Sequence, residues 1–359
     1  MAEISERFPS VAFVCSILIF NALLSAFAIL LCLAGICGAM ETDALRELAT
    51  GLVRLLDRNP AKRSSSAASA ANLWSGPKAL LPGLLPWAHR LLVVGAHPDD
   101  ETLGAGALLS AWSAAGGETS VAILTNGVPD ERAYFPDDWD GSAAGYRQTR
   151  RREAAEALAL LGVAVERQYY SAIGDLRLLD QLHTAALWMA RIMDQARPDL
   201  LLVPAWEGGH PDHDAAHLLA VTVAREDRRR PGVPQIWEYP LYSVASGAVI
   251  YGRFGSAPTA AGVELEAGGA WEPHQARKRA ALARYRSQTT TLRSFPAGER
   301  MRRLPRYDYT RPPAARCVYE LWGWPWDGEK VAHRCGQWLR HWRMEQRVRP
   351  LATPLPKSA

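Results

Sequence analysis

The sequence predicts an α/β protein: a Rossmann-like, mainly parallel sheet with helices on both faces, preceded by an N-terminal apolar helix. Three observations lead there. Strand-like apolar runs recur at 91–96, 121–126, 166–170 and 200–204. Stretches of helical period lie between them, such as Leu182, Ala186, Met189 and Met193. Such alternation builds a parallel sheet covered by helices. The third observation is the uncharged stretch 11–40, which stands apart from the rest of the chain.

Taken in order, the segments read as follows. Residues 11–40 carry no charge, and only Ser16, Asn21 and Ser25 are clearly polar. A bilayer needs about twenty apolar residues, so the run is long enough for a single-pass membrane anchor. A secretory signal peptide has a shorter apolar core and a basic flank, whereas Glu3, Glu6 and Arg7 stand here, which favours an uncleaved anchor. Secretion through a cleaved signal is the alternative, as is a true start at Met40 with a cytoplasmic protein. Mixed flanking charges leave the orientation open. Segment 1–40 is thus the apolar unit. Residues 41–87 read as a linker region, with 62–75 rich in Ser and Ala. A single enzyme domain is expected over 88–345, and 346–359 as a tail. Within the domain, 232–270 reads as short strands and turns that could add a hairpin beside the site. The tryptophans at 322, 324 and 326 read as core packing on a late strand, although indole rings also suit sugar faces and membrane interfaces.

With 359 residues and 48% hydrophobic content, the chain can bury a sizeable core. A net charge of +4 makes no case for nucleic-acid binding. Basic residues crowd the C-terminal part: Arg277, Lys278, Arg279, Arg284, Arg286, Arg293, Arg300, Arg302, Arg303, Arg306 and Arg311. The plain reading is a solvated basic surface; the sharper one is a patch facing anionic lipid or a phosphorylated substrate. Five cysteines make no disulfide scaffold. Cys15, Cys32 and Cys37 fall in the apolar run, and Cys317 and Cys335 could pair in an oxidising compartment. Oligomeric state is not legible.

Chemistry concentrates in two clusters. AHPDDE at 96–101 follows the apolar run at 91–95, and GHPDH at 209–213 follows the run at 200–204. The first offers His97, Asp99 and Asp100; the second offers His210, Asp212 and His213. Open α/β sheets bind ligands beyond the carboxyl ends of their strands, where both clusters fall. Imidazole and carboxylate donors without cysteine suit a catalytic zinc with three protein ligands and one open position. A neighbouring carboxylate can then take a proton from water. Taken singly, the Asp pair could cap a helix and His-Pro-Asp-His could be a polar loop; taken together they point to a metal site.

The paired motifs resemble the PIG-L/LmbE-like zinc-dependent N-deacetylases, over about 91–288. Softer matches are Arg150-Arg151-Arg152-Glu153 followed by Leu160-Leu161-Gly162-Val163, Asp175, and Lys278 with Tyr285-Arg286-Ser287-Gln288. Tyr285 stands where the family more often has His. The resemblance implies His97, Asp100 and His213 as zinc ligands and Asp99 as the general base that activates water. It implies that His210 stabilises the oxyanion and helps protonate the leaving amine. Asp212 would orient or tune a neighbouring histidine, and Arg150 and Asp175 would contact substrate. His217, four residues after His213, reads as a supporting or surface residue, and His183 and His274 as structural or exposed.

The expected function is removal of an N-acetyl group from an N-acetylglucosamine-containing conjugate, whether glycolipid, inositol or a related amino-sugar. The alternatives are an amidase of the same family acting on a non-sugar or thiol-conjugate amide, and a catalytically inactive sugar-binding protein. A nucleotide-dependent glycosyltransferase is disfavoured, because the strand ends carry HPDDE and GHPDH instead of a Gly-rich phosphate fingerprint.

Overall fold

The structure, a computed structural model, describes residues 88–132, 135, 139, 141–226, 232–255, 264–266 and 271–348. The chain divides into two units, Met1–Ala71 and Asn72–Ala359, and every described residue belongs to the second. The apolar helix expected over 11–40 and the linker over 41–87 lie outside the described residues. Among the described residues no helix is long and apolar enough to cross a membrane.

The first described elements are β1 (Arg90–Gly95), α1 (Asp100–Ala114), β2 (Glu118–Ile123), α2 (Ala143–Leu160), β3 (Gln168–Tyr170) and α3 (Leu182–Ala196). They are followed by β4 (Leu200–Pro204), α4 (Pro211–Glu226), β5 (Gln235–Tyr239), β6 (Tyr242–Ala245), β7 (Ala248–Tyr251) and β8 (Glu264–Glu266). The last described elements are α5 (Glu272–Leu282), α6 (Thr289–Leu292), β9 (Arg300–Arg303), α7 (Val318–Leu321) and α8 (Gly328–Val348). The main sheet has the order β3-β2-β1-β4-β5-β9-β8. Its first five strands are parallel, and β9 and β8 add antiparallel pairs at one edge. The α/β class and mainly parallel sheet are as expected.

The apolar runs explain the two-sided core. In β1, Leu92 and Val94 pack into one cluster with α3, α4 and α8, while Leu91 and Val93 pack into the other with α1 and α2. In β4, Leu201 and Val203 face the first cluster, and Leu200 and Leu202 the second. A strand buried on both faces needs a continuous apolar run, because successive side chains alternate sides.

Some boundaries differ from expectation. The second strand begins at Glu118, where its backbone pairs with Arg90, so polar Glu118-Thr119-Ser120 join the ladder. Backbone pairing overrides side-chain character there. The third strand keeps only three residues, because Val165–Arg167 form a helical turn first. Segment 232–255 does more than expected: β5 enters the main sheet beside β4, and only β6 and β7 form a separate hairpin. Helix α8 continues to Val348, past the expected end at 345. The late tryptophans are on no strand; they follow the short helix α7. Cys317 and Cys335 are both buried and free.

The basic crowd is not all surface. Lys278 is buried, and its Nζ donates to the Leu103 carbonyl at 2.6 Å and meets Glu299 Oε1 at 3.0 Å. Glu299 in turn accepts the N–H groups of Ala107 and Leu108. The pair ties α5 and the loop before β9 to α1. Arg302 likewise pairs with buried Glu238 at 2.7 Å across β9 and β5. Lys278→Met should therefore lower stability by about 3–5 kcal/mol, because it strands the Glu299 charge. Chemical denaturation would measure this, and an unchanged midpoint would refute it.

Candidate active site

The order β3-β2-β1-β4-β5 makes the chain run outward in opposite directions from β1 and β4. The crevice beyond their carboxyl ends is the topological switch point, where open α/β sheets hold ligands. The loop after β1 carries His97, Asp99 and Asp100; the loop after β4 leads into α4 with His210, Asp212 and His213. Gly209 lets this second loop approach the hairpin, since a Cβ there would collide with the Tyr242 carbonyl.

Three donor atoms form a triangle. His97 Nδ1 is 3.2 Å from His213 Nε2 and 3.4 Å from Asp100 Oδ2, and His213 Nε2 is 3.3 Å from that same oxygen. Ligands about 2.0–2.1 Å from a tetrahedral zinc lie about 3.3 Å apart, so the triangle fits one face of such a site. Asp100 Oδ2 also accepts the N–H groups of Ala96 and His97, which orients it. Burial opposes ionisation of Asp100, but His213 and His97 outweigh it and hold its pKa well below the usual carboxylate value.

The far side of His97 meets carboxylates. Its Nε2 lies 3.0 Å from Asp175 Oδ1 and 3.4 Å from Asp212 Oδ2. Metal-ligating histidines commonly donate their second N–H to a carboxylate in this way. Burial disfavours a charged His97, yet Asp175, Asp100 and Asp212 together raise its pKa well above normal. The same negative field suits a divalent cation. Asp212 accepts the N–H groups of Leu176 and Leu178, so it also fixes the loop that carries Asp175. Asp175, expected against substrate, thus braces His97 while lining the mouth of the site.

Asp99 and Asp100 point apart because Asp99 has φ 144°, ψ −29°, a backbone conformation that side-chain-bearing residues rarely adopt. Such strain persists where surrounding bonds hold it. Here the Asp99 N–H donates to Glu101 Oε2 at 3.1 Å, and Arg150 donates to Asp99 Oδ2 at 3.1 Å. Burial pushes the Asp99 carboxyl up to about 8, against the opposing pull of Arg150. Arg150, expected as a substrate contact, has its observed partners on the Asp99 side. It is buried, and its guanidinium also donates to the carbonyls of Gly127 and Pro98, so it holds Asp99 in place.

His210 Nδ1 accepts the Asp212 N–H at 3.0 Å. A neutral ring then carries its proton on Nε2, which faces Asp175 Oδ1 at 3.6 Å. Burial, then His97, hold the His210 pKa well below normal, which favours this neutral donor. His217 is no surface residue. It is fully buried between the Pro204 carbonyl and the Tyr309 hydroxyl, away from the triangle. His274 meets Ser110, and His183 meets Glu345.

Sequence reasoning missed two supports. Tyr285 donates to Glu101 Oε1 at 2.5 Å, and Thr102 donates to the same oxygen at 2.8 Å, so the late Tyr285 braces the carboxylate that holds Asp99. Trp324 packs edge-on against His210 at 4.6 Å between ring centroids. Spacing carries no signal for either, though the departure at Tyr285 and the tryptophan run were visible. Tyr285→Phe should lower kcat about tenfold, about 1.4 kcal/mol, with KM and metal content unchanged. Steady-state kinetics beside metal analysis checks this; a loss confined to KM would refute the bracing role.

Residues 92–224 match the family model described as PIG-L, GlcNAc-PI de-N-acetylase. That stretch is the part of the chain that is similar to the PIG-L family. Among similar curated proteins is a 1D-myo-inositol 2-acetamido-2-deoxy-alpha-D-glucopyranoside deacetylase of Thermobifida fusca. It is 32% identical over 182 residues, which are 44% of this chain and 62% of that protein. A protein of the same name from Salinispora arenicola is 34% identical over 37% of this chain and 49% of its own length. The chain thus spans less than two thirds of the length of these relatives. Among solved structures, an A40926 pseudoaglycone deacetylase aligns at TM-score 0.48 and 18% identity, covering 62% of this chain and 99% of that one. An N,N'-diacetylchitobiose deacetylase from Pyrococcus horikoshii aligns at TM-score 0.45 and 17% identity, covering 68% and 95%. The PIG-L match contains both HPD clusters, Arg150 and Asp175, but ends before Tyr285 and Trp324.

Proposed function

We propose that this protein removes the N-acetyl group from an N-acetylglucosamine-containing conjugate, with zinc held by His97, Asp100 and His213. The observation that carries this reading is the triangle of donor atoms 3.2–3.4 Å apart with Asp99 beside it. The PIG-L match and the names of the curated relatives support an amino-sugar amide as substrate. Zinc, when bound, would supply a Lewis acid and make water more acidic.

The chain's own residues supply the rest. Arg150 engages one oxygen of Asp99, leaving the other for a proton. Made more basic by burial, the ionised Asp99 carboxylate can take a proton as water attacks the acetyl carbonyl. The new C–O bond places negative charge on the former carbonyl oxygen. The Nε2–H of His210 is the available donor for that charge. As the C–N bond breaks, the proton taken by Asp99 passes to the leaving nitrogen, releasing acetate and a free amine. Asp175 and Asp212 hold His97 in place throughout.

The test is acetate release by metal-stripped protein reloaded with zinc, using methyl N-acetyl-α-glucosaminide and N-acetylglucosaminyl-inositol. Zinc-dependent acetate from either supports the reading. Zinc-loaded protein that releases none from any N-acetylglucosaminide would overturn it.

A further inference from the structure

One cluster of ligand-type side chains lies apart from the catalytic crevice. Helix α8 places His341 and Glu345 four residues apart, so both fall on one face. That face meets the first turn of α3, which carries His183. His341 Nε2 is 3.2 Å from Glu345 Oε1, and His183 Nδ1 is 3.6 Å from Glu345 Oε2. One donor atom from each of the three side chains lies within 4.8 Å of the others. A cleft of about 240 Å³ reaches both imidazoles, with Gln337 and Trp338 also in its wall.

The two helices are fixed against each other beneath this cluster. Arg334 Nε donates to the Leu179 carbonyl at 3.1 Å, just before α3. Trp338 and Trp342 stack at 5.5 Å between ring centroids and share a buried cluster with Leu182, Ala186 and Met189 of α3. Trp342 also meets the His183 ring edge-on at 6.3 Å. The His183 Nδ1 is buried and has no hydrogen-bond partner among the described residues. Its separation from Glu345 is too long for a hydrogen bond. A buried ring nitrogen without a partner calls for one, and a metal ion beside the carboxylate supplies it.

Two imidazoles and a carboxylate form a donor set that takes zinc or a similar late first-row divalent ion. Both measured separations from Glu345 are close to the spacing between ligands of a tetrahedral zinc, about 3.3 Å. We propose that His183, His341 and Glu345 form a second metal site, with zinc as its ion, that pins α8 to α3. Water completes the coordination. The site shares no residue with the triangle of His97, Asp100 and His213, and it does not depend on the deacetylase reading. Helix α3 follows the loop that carries Asp175, and α8 follows the stretch that carries Trp324, so the pinned helices anchor two segments that touch His97 and His210.

Metal counting tests this without turnover. The full-length protein, free of any polyhistidine tag, would be stripped with chelator and dialysed against micromolar zinc. Wild type should retain one equivalent more than His183→Ala or His341→Ala. Loss of either ligand should weaken this zinc at least about tenfold. His213→Ala, which damages only the first site, should keep the second equivalent. So should His333→Ala, which removes another exposed histidine of α8. Zinc added to the His213→Ala protein should raise its thermal midpoint, because a ligand of the folded state stabilises it. Adding His341→Ala to that background should cancel the rise. A second equivalent that survives both His183→Ala and His341→Ala would overturn the proposal. So would a wild type that holds no more zinc than His341→Ala, or a thermal rise that persists in the double variant.

Discussion

Asp99→Asn should fold, keep its zinc and lose about 10²–10⁴-fold in turnover, the usual contribution of a positioned general base. The amide keeps an oxygen for Arg150 but cannot take a proton from water. Asn matches Asp in size and shape, so the strained conformation at this position should survive the change. Acetate release and metal content, measured on the same preparation, check the expectation. Turnover near wild type in a zinc-loaded variant would move the base elsewhere, and loss of the metal would make Asp99 a ligand.

His213→Ala should weaken zinc binding at least about 100-fold and abolish activity with it. Changing a partner outside the ligand set typically costs about 10–100-fold in affinity, and a direct ligand should exceed that. His213 is buried on α4 within a run of buried residues, so alanine should preserve the helix. Competition with a chelator of known affinity would measure the shift. An unchanged affinity would remove His213 from the ligand set and favour the neighbouring group of His97, Asp175, His210 and Asp212, which also lies close enough to share an ion.

These two expectations rest on residues already visible in the two HPD motifs, but the division of labour within them was not equally visible. That His97 and His213 come together follows from two apolar runs becoming adjacent parallel strands, each ending in a motif. Which of Asp99 and Asp100 turns toward the histidines depends on one backbone rotation, and no residue pattern encodes that angle. Arg150 was visible as an arginine on a helix, yet its contact with Asp99 was not. Whether a guanidinium faces substrate or the back of Asp99 depends on how α2 packs over the loop after β1.

The sequence by itself determined the parts that are local or periodic. Runs of apolar residues too long for a one-sided strand required burial on both faces, hence a parallel sheet, and the motifs following them had to fall at its carboxyl edge. The donor types, imidazole and carboxylate without cysteine, set the class of chemistry. Only the tertiary structure decided the supports. Tyr285 meets Glu101 across 184 positions of chain, Asp212 closes on a loop 34 to 36 positions earlier, and Trp324 reaches His210 from beyond α7. Contacts of that kind arise from how whole elements stack, and periodicity within a segment carries no information about which distant segment will cover it.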